Sequence, residues 1–343
     1  MSFSAEHLHG GNVRTNDIEY DFSASLNPLG IPPCIKKALM KSMAEAVFYP
    51  DPDQKAVRLA YSKKHGIPAD NVIFGNGAAE LIRISVRAVK TLKKSKADFL
   101  TCVPLPCFHE YIAASENEGA VITHDHENAD LIFISNPTSP GGEIIERDDI
   151  IEAVENNPAS FFCIDESFLP FYTYEDRVSL INFTDKYSNL AVIRSFTKIF
   201  SIPGIRLGAL ITSNRDLLYL IKKHLQPWNI SSFAAAAAMS ALSDESIDDF
   251  IIKSRLLIAE ERKYLEKELS VFSNNIFKSE VNYILFHIDE KNSEQSLYDK
   301  LLSRKISVRD CSNFEGLNKG WYRIAVRNHR ENEVLIKAIK SCL

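Results

Sequence analysis

The 343-residue chain has no apolar run long enough to cross a bilayer, which takes about 20 consecutive apolar residues. Polar His7, His9 and Asn12 stand where a secretion signal needs its apolar stretch, so a cytoplasmic protein is expected. Six cysteines (Cys34, Cys102, Cys107, Cys163, Cys311, Cys342) lie scattered without the paired spacing of zinc ligands, and reduced thiols are expected. His124-Asp125-His126 alternates as a solvated turn does, no further ligand cluster follows, and no metal is expected. A formal charge of −5 excludes a broad electrostatic footprint for nucleic acid or an anionic membrane. It leaves room for a local basic pocket around a small anionic metabolite. Internal repeats and low-complexity linkers are also missing.

With 45% hydrophobic residues, a chain of this length can bury a sizeable core, as two domains or as one large domain with a smaller lobe. Pro32-Pro33 opens a helical stretch to about Ala46, and Phe48-Tyr49-Pro50-Asp51-Pro52 breaks it. Short apolar runs follow at Asn71 to Phe74, Asp98 to Val103, Asp130 to Ser135, Ser160 to Ile164 and Leu190 to Ile193, with helix-like stretches between them. This alternation predicts an α/β fold with a mostly parallel sheet, because parallel neighbours need crossover connections. Ala234 to Leu242 and Asp244 to Phe272 read as helices. Strand-like Val281 to Ile288 and Trp321 to Val326 then alternate with helical Glu294 to Ser303 and Glu331 to Ser341.

Directly after the apolar runs come Gly75-Asn76-Gly77, Asn136-Pro137-Thr138, Asp165-Glu166 and Ser195 to Lys198. In such sheets ligands collect at the strand carboxyl ends, so these polar and glycine-rich residues fall on one predicted edge. Gly75-Asn76-Gly77-Ala78-Ala79-Glu80 joins a strand to a helix, whose first amides can bind phosphate oxygens. A dinucleotide fingerprint would need a third glycine where Glu80 stands. Read singly, the Asn136-Pro137 cluster is a turn and Phe108 a core aromatic at a helix start.

The segment Ser195-Phe196-Thr197-Lys198-Ile199-Phe200-Ser201-Ile202-Pro203-Gly204-Ile205-Arg206-Leu207-Gly208 resembles the cofactor-lysine region of fold-type I pyridoxal 5′-phosphate (PLP) enzymes. The likeness is greatest to the branch of histidinol-phosphate aminotransferases and threonine-phosphate decarboxylases. It implies a large domain at 47–243 and a smaller α/β lobe from both termini, 1–46 and 244–343. It also implies PLP bound through Lys198, with Asp165 at the pyridine nitrogen, Asn136 at the phenolic oxygen and Phe108 on the ring face. Gly77, Ala78, Ser195, Thr197 and Arg206 would cradle the phosphate. Tyr49 would reach the cofactor phosphate of a second copy, which implies a homodimer with shared sites.

Three features lean toward the decarboxylases. Trp321-Tyr322-Arg323-Ile324-Ala325-Val326-Arg327 sets two arginines four apart, on one side of an alternating strand. By resemblance Arg323 clamps the substrate α-carboxylate, and Ala-Val-Arg at Arg327 is the decarboxylase pattern; from spacing alone a surface pair reads equally well. The opening His9-Gly10-Gly11-Asn12, with Asp21 to Gly30, makes His9 a candidate for the substrate phosphate and Asn27 for the carboxylate, although His-Gly-Gly also suits a flexible tail. Phe168 stands where the aminotransferases commonly carry tyrosine, although aromatic packing explains it too. The leading expectation is decarboxylation of an O-phosphoamino acid, threonine phosphate ahead of serine phosphate, for the cobalamin aminopropanol linker. A histidinol-phosphate-type aminotransferase and a non-catalytic PLP-binding regulator are the alternatives. The expected partner is a small phosphorylated amino acid, with neither nucleic acid nor membrane.

Overall fold

A computed structural model describes residues 10–11, 17–94, 98–290 and 294–343. His9 lies outside the described residues. The strands in chain order are β1 (Tyr20–Asp21), β2 (Val72–Gly75), β3 (Leu100–Cys102), β4 (Val121–Thr123), β5 (Leu131–Ser135), β6 (Phe161–Asp165), β7 (Leu190–Ser195) and β8 (Gly208–Ile211). The C-terminal third adds β9 (Tyr283–His287), β10 (Ile306–Ser307), β11 (Arg309–Asp310) and β12 (Trp321–Ala325). Seven strands form one sheet in the order β2-β8-β7-β6-β5-β3-β4, parallel except for β8, which runs antiparallel to both neighbours. The expected α/β class and mostly parallel sheet are thus present.

Strands β6 and β7 are buried along their whole length because helices cover both faces of the sheet, which is why they read as unbroken apolar runs. Phe162, Ile164, Leu190 and Val192 enter one core, while Phe161, Cys163, Ala191 and Ile193 enter the other. The same two-residue period turns Arg194 away from its neighbour Ser195. On that reverse face Arg194 donates to Glu166 (2.8 Å) and to Glu175 (2.5 Å), and Arg255 binds the second oxygen of Glu175. Glu166 is fully buried, and burial pushes its carboxyl up against the pull of Arg194.

The antiparallel β8 escaped the sequence reading. The connection from β7 to β8 carries only the helical turn Pro203–Ile205 and no crossover helix, and the chain returns antiparallel beside β7. A three-stranded antiparallel sheet, β11-β12-β9, builds the C-terminal part. The N-terminal segment divides. β1 pairs in parallel with β10, whereas the helix Pro33–Ser42 packs on the alanine-rich helix Ser232–Ser243. The small side chains of Ala234, Ala237 and Ala241 admit that helix at close range. Among the described residues no helix is long and apolar enough to cross a membrane.

Removing one partner of a buried ion pair strands the other. Arg194→Ala should cost about 3–5 kcal/mol because Glu166 would keep a buried, uncompensated charge. A clear fall in the urea unfolding midpoint is expected; an unchanged midpoint would show the network to be dispensable.

Candidate active site

Strands β5, β6 and β7 end side by side, with Ser135 opposite Asp165 and Asp165 opposite Ile193. Asn136 follows β5, Asp165 closes β6 and Ser195 closes β7, so three expected residues share one sheet edge. Asp165 and Ser195 project on the face covered by helices Ala78–Lys93 and His109–Asn117, by the parity that buries Cys163 and Ile193 there.

Asp165 is held from two directions. Its Oδ2 accepts the Tyr111 hydroxyl at 2.7 Å, and its Oδ1 accepts the Ser167 backbone N–H at 2.9 Å. Tyr111 is buried and stacks on Phe133, with ring centres 5.0 Å apart. Burial, then the Asp165 charge, pushes its hydroxyl well above the usual tyrosine range, so it stays a proton donor. Phe108 meets Tyr111 edge to face at 5.6 Å. Sequence reasoning missed Tyr111, although its spacing of three from Phe108 sets both on one side of a helix start.

Lys198 is partly buried beside a cavity of about 400 Å³ that Phe108, Phe168, Arg206, Arg309 and Arg323 also line. Its Nζ lies 5.7 Å from the centre of the Phe168 ring. Burial, then Arg323 and Arg206, lowers the Lys198 amine to about 8, with Asp165 pulling the other way. Arg323 lies over the Tyr283 ring and donates to Ser139 Oγ at 3.4 Å, and its buried Nε has no partner among the described residues. Arg309, buried on β11 directly opposite Arg323, also went unnoticed, because its strand is only two residues long and shows no alternation to read.

The turn Gly75-Asn76-Gly77 leads from β2 into the helix Ala78–Lys93. Gly77 has φ +85°, and a Cβ there would lie 2.8 Å from Arg206 Nη2, so the guanidinium sits against the turn. Ser195 and Thr197 share a hydrogen bond of 2.8 Å between their hydroxyls. Asn136 is buried, and its amide pairs with the backbone of Ile145 in both directions, leaving one N–H unspent. Tyr49 is exposed and stacks on Trp228 at 4.5 Å.

Two expected substrate residues are not among those lining this cavity. Arg327 lies past the end of β12, where the strand period no longer applies, and Glu331 takes its guanidinium at 3.1 Å. Asn27 is buried, its amide nitrogen donates to Ile199 O (2.8 Å) and Ser254 Oγ (2.7 Å), and its oxygen accepts from Leu29 N (3.0 Å). With both amide hydrogens spent, Asn27 has none left for a carboxylate and instead ties the N-terminal segment to the chain after Lys198.

The family model for aminotransferase class I and II matches residues 119–339, and the chain belongs to that family. The adenosylcobalamin biosynthesis bifunctional protein CobDQ of Leptospira interrogans is 33% identical over 97% of this chain, which spans 41% of that protein's length. Threonine-phosphate decarboxylase of Salmonella typhimurium is 28% identical, over 98% of this chain and 96% of its own. The crystal structure of histidinol-phosphate aminotransferase from Clostridium acetobutylicum matches with a TM-score of 0.83 at 28% identity, over 94% of this chain and 98% of that one. The fold is that of the fold-type I PLP enzymes, and PLP is the cofactor.

The donor set fits that cofactor. A lysine of lowered basicity, the aromatic Phe108 and Arg206 line one cavity, with the carboxylate of Asp165 acting on the Lys198 amine and the Gly77 turn closed against Arg206. Bound there, PLP supplies a conjugated sink for electrons released at a substrate α-carbon.

The Lys198 amine reacts only when neutral, so its acylation in the cofactor-free chain should rise with pH through a midpoint near 8. Solvent-exposed lysines should follow at about 10.4. Arg323→Gln removes a repelling charge and should move the Lys198 midpoint upward, read by mass spectrometry of the labelled peptide. A Lys198 midpoint equal to that of surface lysines would refute the electrostatic account.

Proposed function

We propose that this PLP enzyme decarboxylates an O-phosphoamino acid in the cytoplasm, converting L-threonine O-3-phosphate to (R)-1-amino-2-propanol O-2-phosphate. The observation that carries the reading is the register of β11 and β12, which sets Arg309 and Arg323 directly opposite each other at the cavity. Directly opposed residues in an antiparallel pair lie about 5 Å apart at Cβ, and like charges there destabilise a sheet. A compact substrate bearing a carboxylate and a phosphate close together offsets that cost. In the aminotransferase reading histidinol phosphate would engage one arginine and the 2-oxo acid the other in a separate half-reaction, whereas a phosphoamino acid engages both at once.

In this reading Lys198 would hold the cofactor's aldehyde carbon until the substrate amine displaces it, and the freed amine, protonated in that exchange, would supply the proton that replaces carbon dioxide at the α-carbon. Asp165, steadied by Tyr111, keeps a proton on the cofactor's ring nitrogen, because a nearby carboxylate favours the cationic form. Phe108 stacks on the ring, and the remaining N–H of Asn136 serves the phenolic oxygen. The amides of Gly77 and Ala78 with Ser195, Thr197 and Arg206 hold the cofactor phosphate. Arg323 orients the α-carboxylate, and Arg309 takes the substrate phosphate. Phe168 offers no hydroxyl to the phenolic oxygen.

A homodimer is part of the proposal. Met40 near the end of the helix Pro33–Ser42, with Met43, Val47, Phe48 and Tyr49 in the segment after it, is an exposed apolar group that a second copy would cover. Tyr49 would then reach the other copy's cofactor phosphate. The likeness to a histidinol-phosphate aminotransferase supports the second reading, amino transfer to a 2-oxo acid.

Purified enzyme should release carbon dioxide from L-threonine O-phosphate without any 2-oxo acid, and L-serine O-phosphate should be tried beside it. Arg323→Ala and Arg309→Ala should each lower kcat/KM by roughly 10- to 100-fold, the loss of one charge-assisted contact. Stoichiometric amino transfer from histidinol phosphate to 2-oxoglutarate, with no carbon dioxide from either phosphoamino acid, would decide for the second reading.

A further inference from the structure

Glu80 is the third residue of the helix Ala78–Lys93, whose N-cap is Gly77. A glutamate at this position ordinarily bonds back to the N–H of the cap residue. Here it reaches one residue further. Glu80 Oε2 accepts the Asn76 backbone N–H at 2.6 Å and Asn229 Nδ2 at 3.0 Å, and Oε1 accepts Asn76 Nδ2 at 3.3 Å. Asn76 Nδ2 also donates to Asn229 O at 2.9 Å. The Gly77 N–H is taken by Gly75 O at 2.8 Å. The first amides of the helix proper, beginning with Ala78, have no intrahelical acceptor.

The backbone around this carboxylate is shaped to admit it. A Cβ on Gly75 would lie 2.9 Å from Glu80 Oε2, and a Cβ on Gly208 would lie 2.9 Å from Ala78 N. Both glycines leave room for the turn to close on Glu80 with the Ala78 amide against β8. A carboxylate in the first helical turn beside a phosphate carries a repulsive cost. It is offset where both oxygens are occupied by N–H donors and the charge is drawn toward Asn76 and Asn229. Asn229 also follows Trp228, whose indole stacks on Tyr49, so the same carboxylate links the turn to the Tyr49 segment.

We propose that Glu80 is a positioning residue for the cofactor phosphate: by binding Asn76 and Asn229 it holds the Gly75–Gly77 turn in the shape that presents the Ala78 end of the helix to the phosphate. This rests on the reading that this turn and Arg206 cradle the phosphate. The role is geometric, so an uncharged acceptor of the same length should serve.

The test compares dissociation constants of the full chain for PLP and for pyridoxal, which lacks the phosphate, by equilibrium dialysis. Glu80→Ala should weaken PLP at least about tenfold, the scale of one lost charge-assisted hydrogen bond, and leave pyridoxal unchanged. Glu80→Gln should restore most of the PLP affinity. Asn229→Ala should act in the same direction as Glu80→Ala, and it decides the matter with Glu80→Gln if Glu80→Ala does not fold. Equal weakening of both cofactors, or no change in either, would overturn the proposal. Arg206→Gln separates the two levels. If it lowers the preference for PLP while Glu80→Ala and Asn229→Ala do not, only the Glu80 role is lost; if it leaves that preference intact, the cradle reading fails and takes the Glu80 role with it.

Discussion

Parallel pairing of β5, β6 and β7 brings three chain segments to a common end, and the chemistry of this molecule hangs on that edge. Because Asp165 stands opposite Ser135 on one side and Ile193 on the other, the residues that follow each strand emerge as neighbours although they are decades apart in sequence. The alternation that buries Cys163 and Ile193 turns Asp165 and Ser195 to the same face, and sends Glu166 and Arg194 to the other. One register thus separates a reactive face from a structural ion-pair network directly behind it.

Above that edge the cavity is crowded with positive charge. Arg206 approaches from the loop after Lys198, and Arg309 and Arg323 from the antiparallel C-terminal sheet. Burial, then Arg323 and Arg206, draws the Lys198 amine down to about 8, which leaves a nucleophilic fraction near neutral pH. The same crowding makes the cavity hospitable to anions. Basicity of the lysine and selectivity for the ligand therefore arise from one charge arrangement.

Expected residues fall into two groups according to how local their signals were. Lys198, Asp165, Phe108 and the Gly77–Ala78 turn each sit immediately beyond a strand or at a helix start, where apolar runs and glycines mark the boundary. Arg327 and Asn27 depended on more. For Arg327 the alternating period was extended two residues past the end of β12, and beyond that point Glu331, one helical turn on, claims the guanidinium. For Asn27, nothing in the sequence announced that Ile199 O and Ser254 Oγ would arrive to take both amide hydrogens. Tyr111 was legible in principle through its spacing from Phe108. Arg309 was not, since a two-residue strand carries no period.

By itself the sequence determined the α/β class and the strand ends after which Asn136, Asp165 and Lys198 emerge, because burial on both sheet faces writes continuous apolar runs and crossovers write the intervals between them. Tertiary structure decided the antiparallel return of β8, the docking of helix Pro33–Ser42 on the alanine-rich helix Ser232–Ser243, the hydrogen bond from Tyr111 to Asp165 and the pairing of Arg309 with Arg323. These are contacts between segments far apart in the chain. Their partners are selected by register and by the space small side chains leave, and neither quantity is carried by a local stretch of residues.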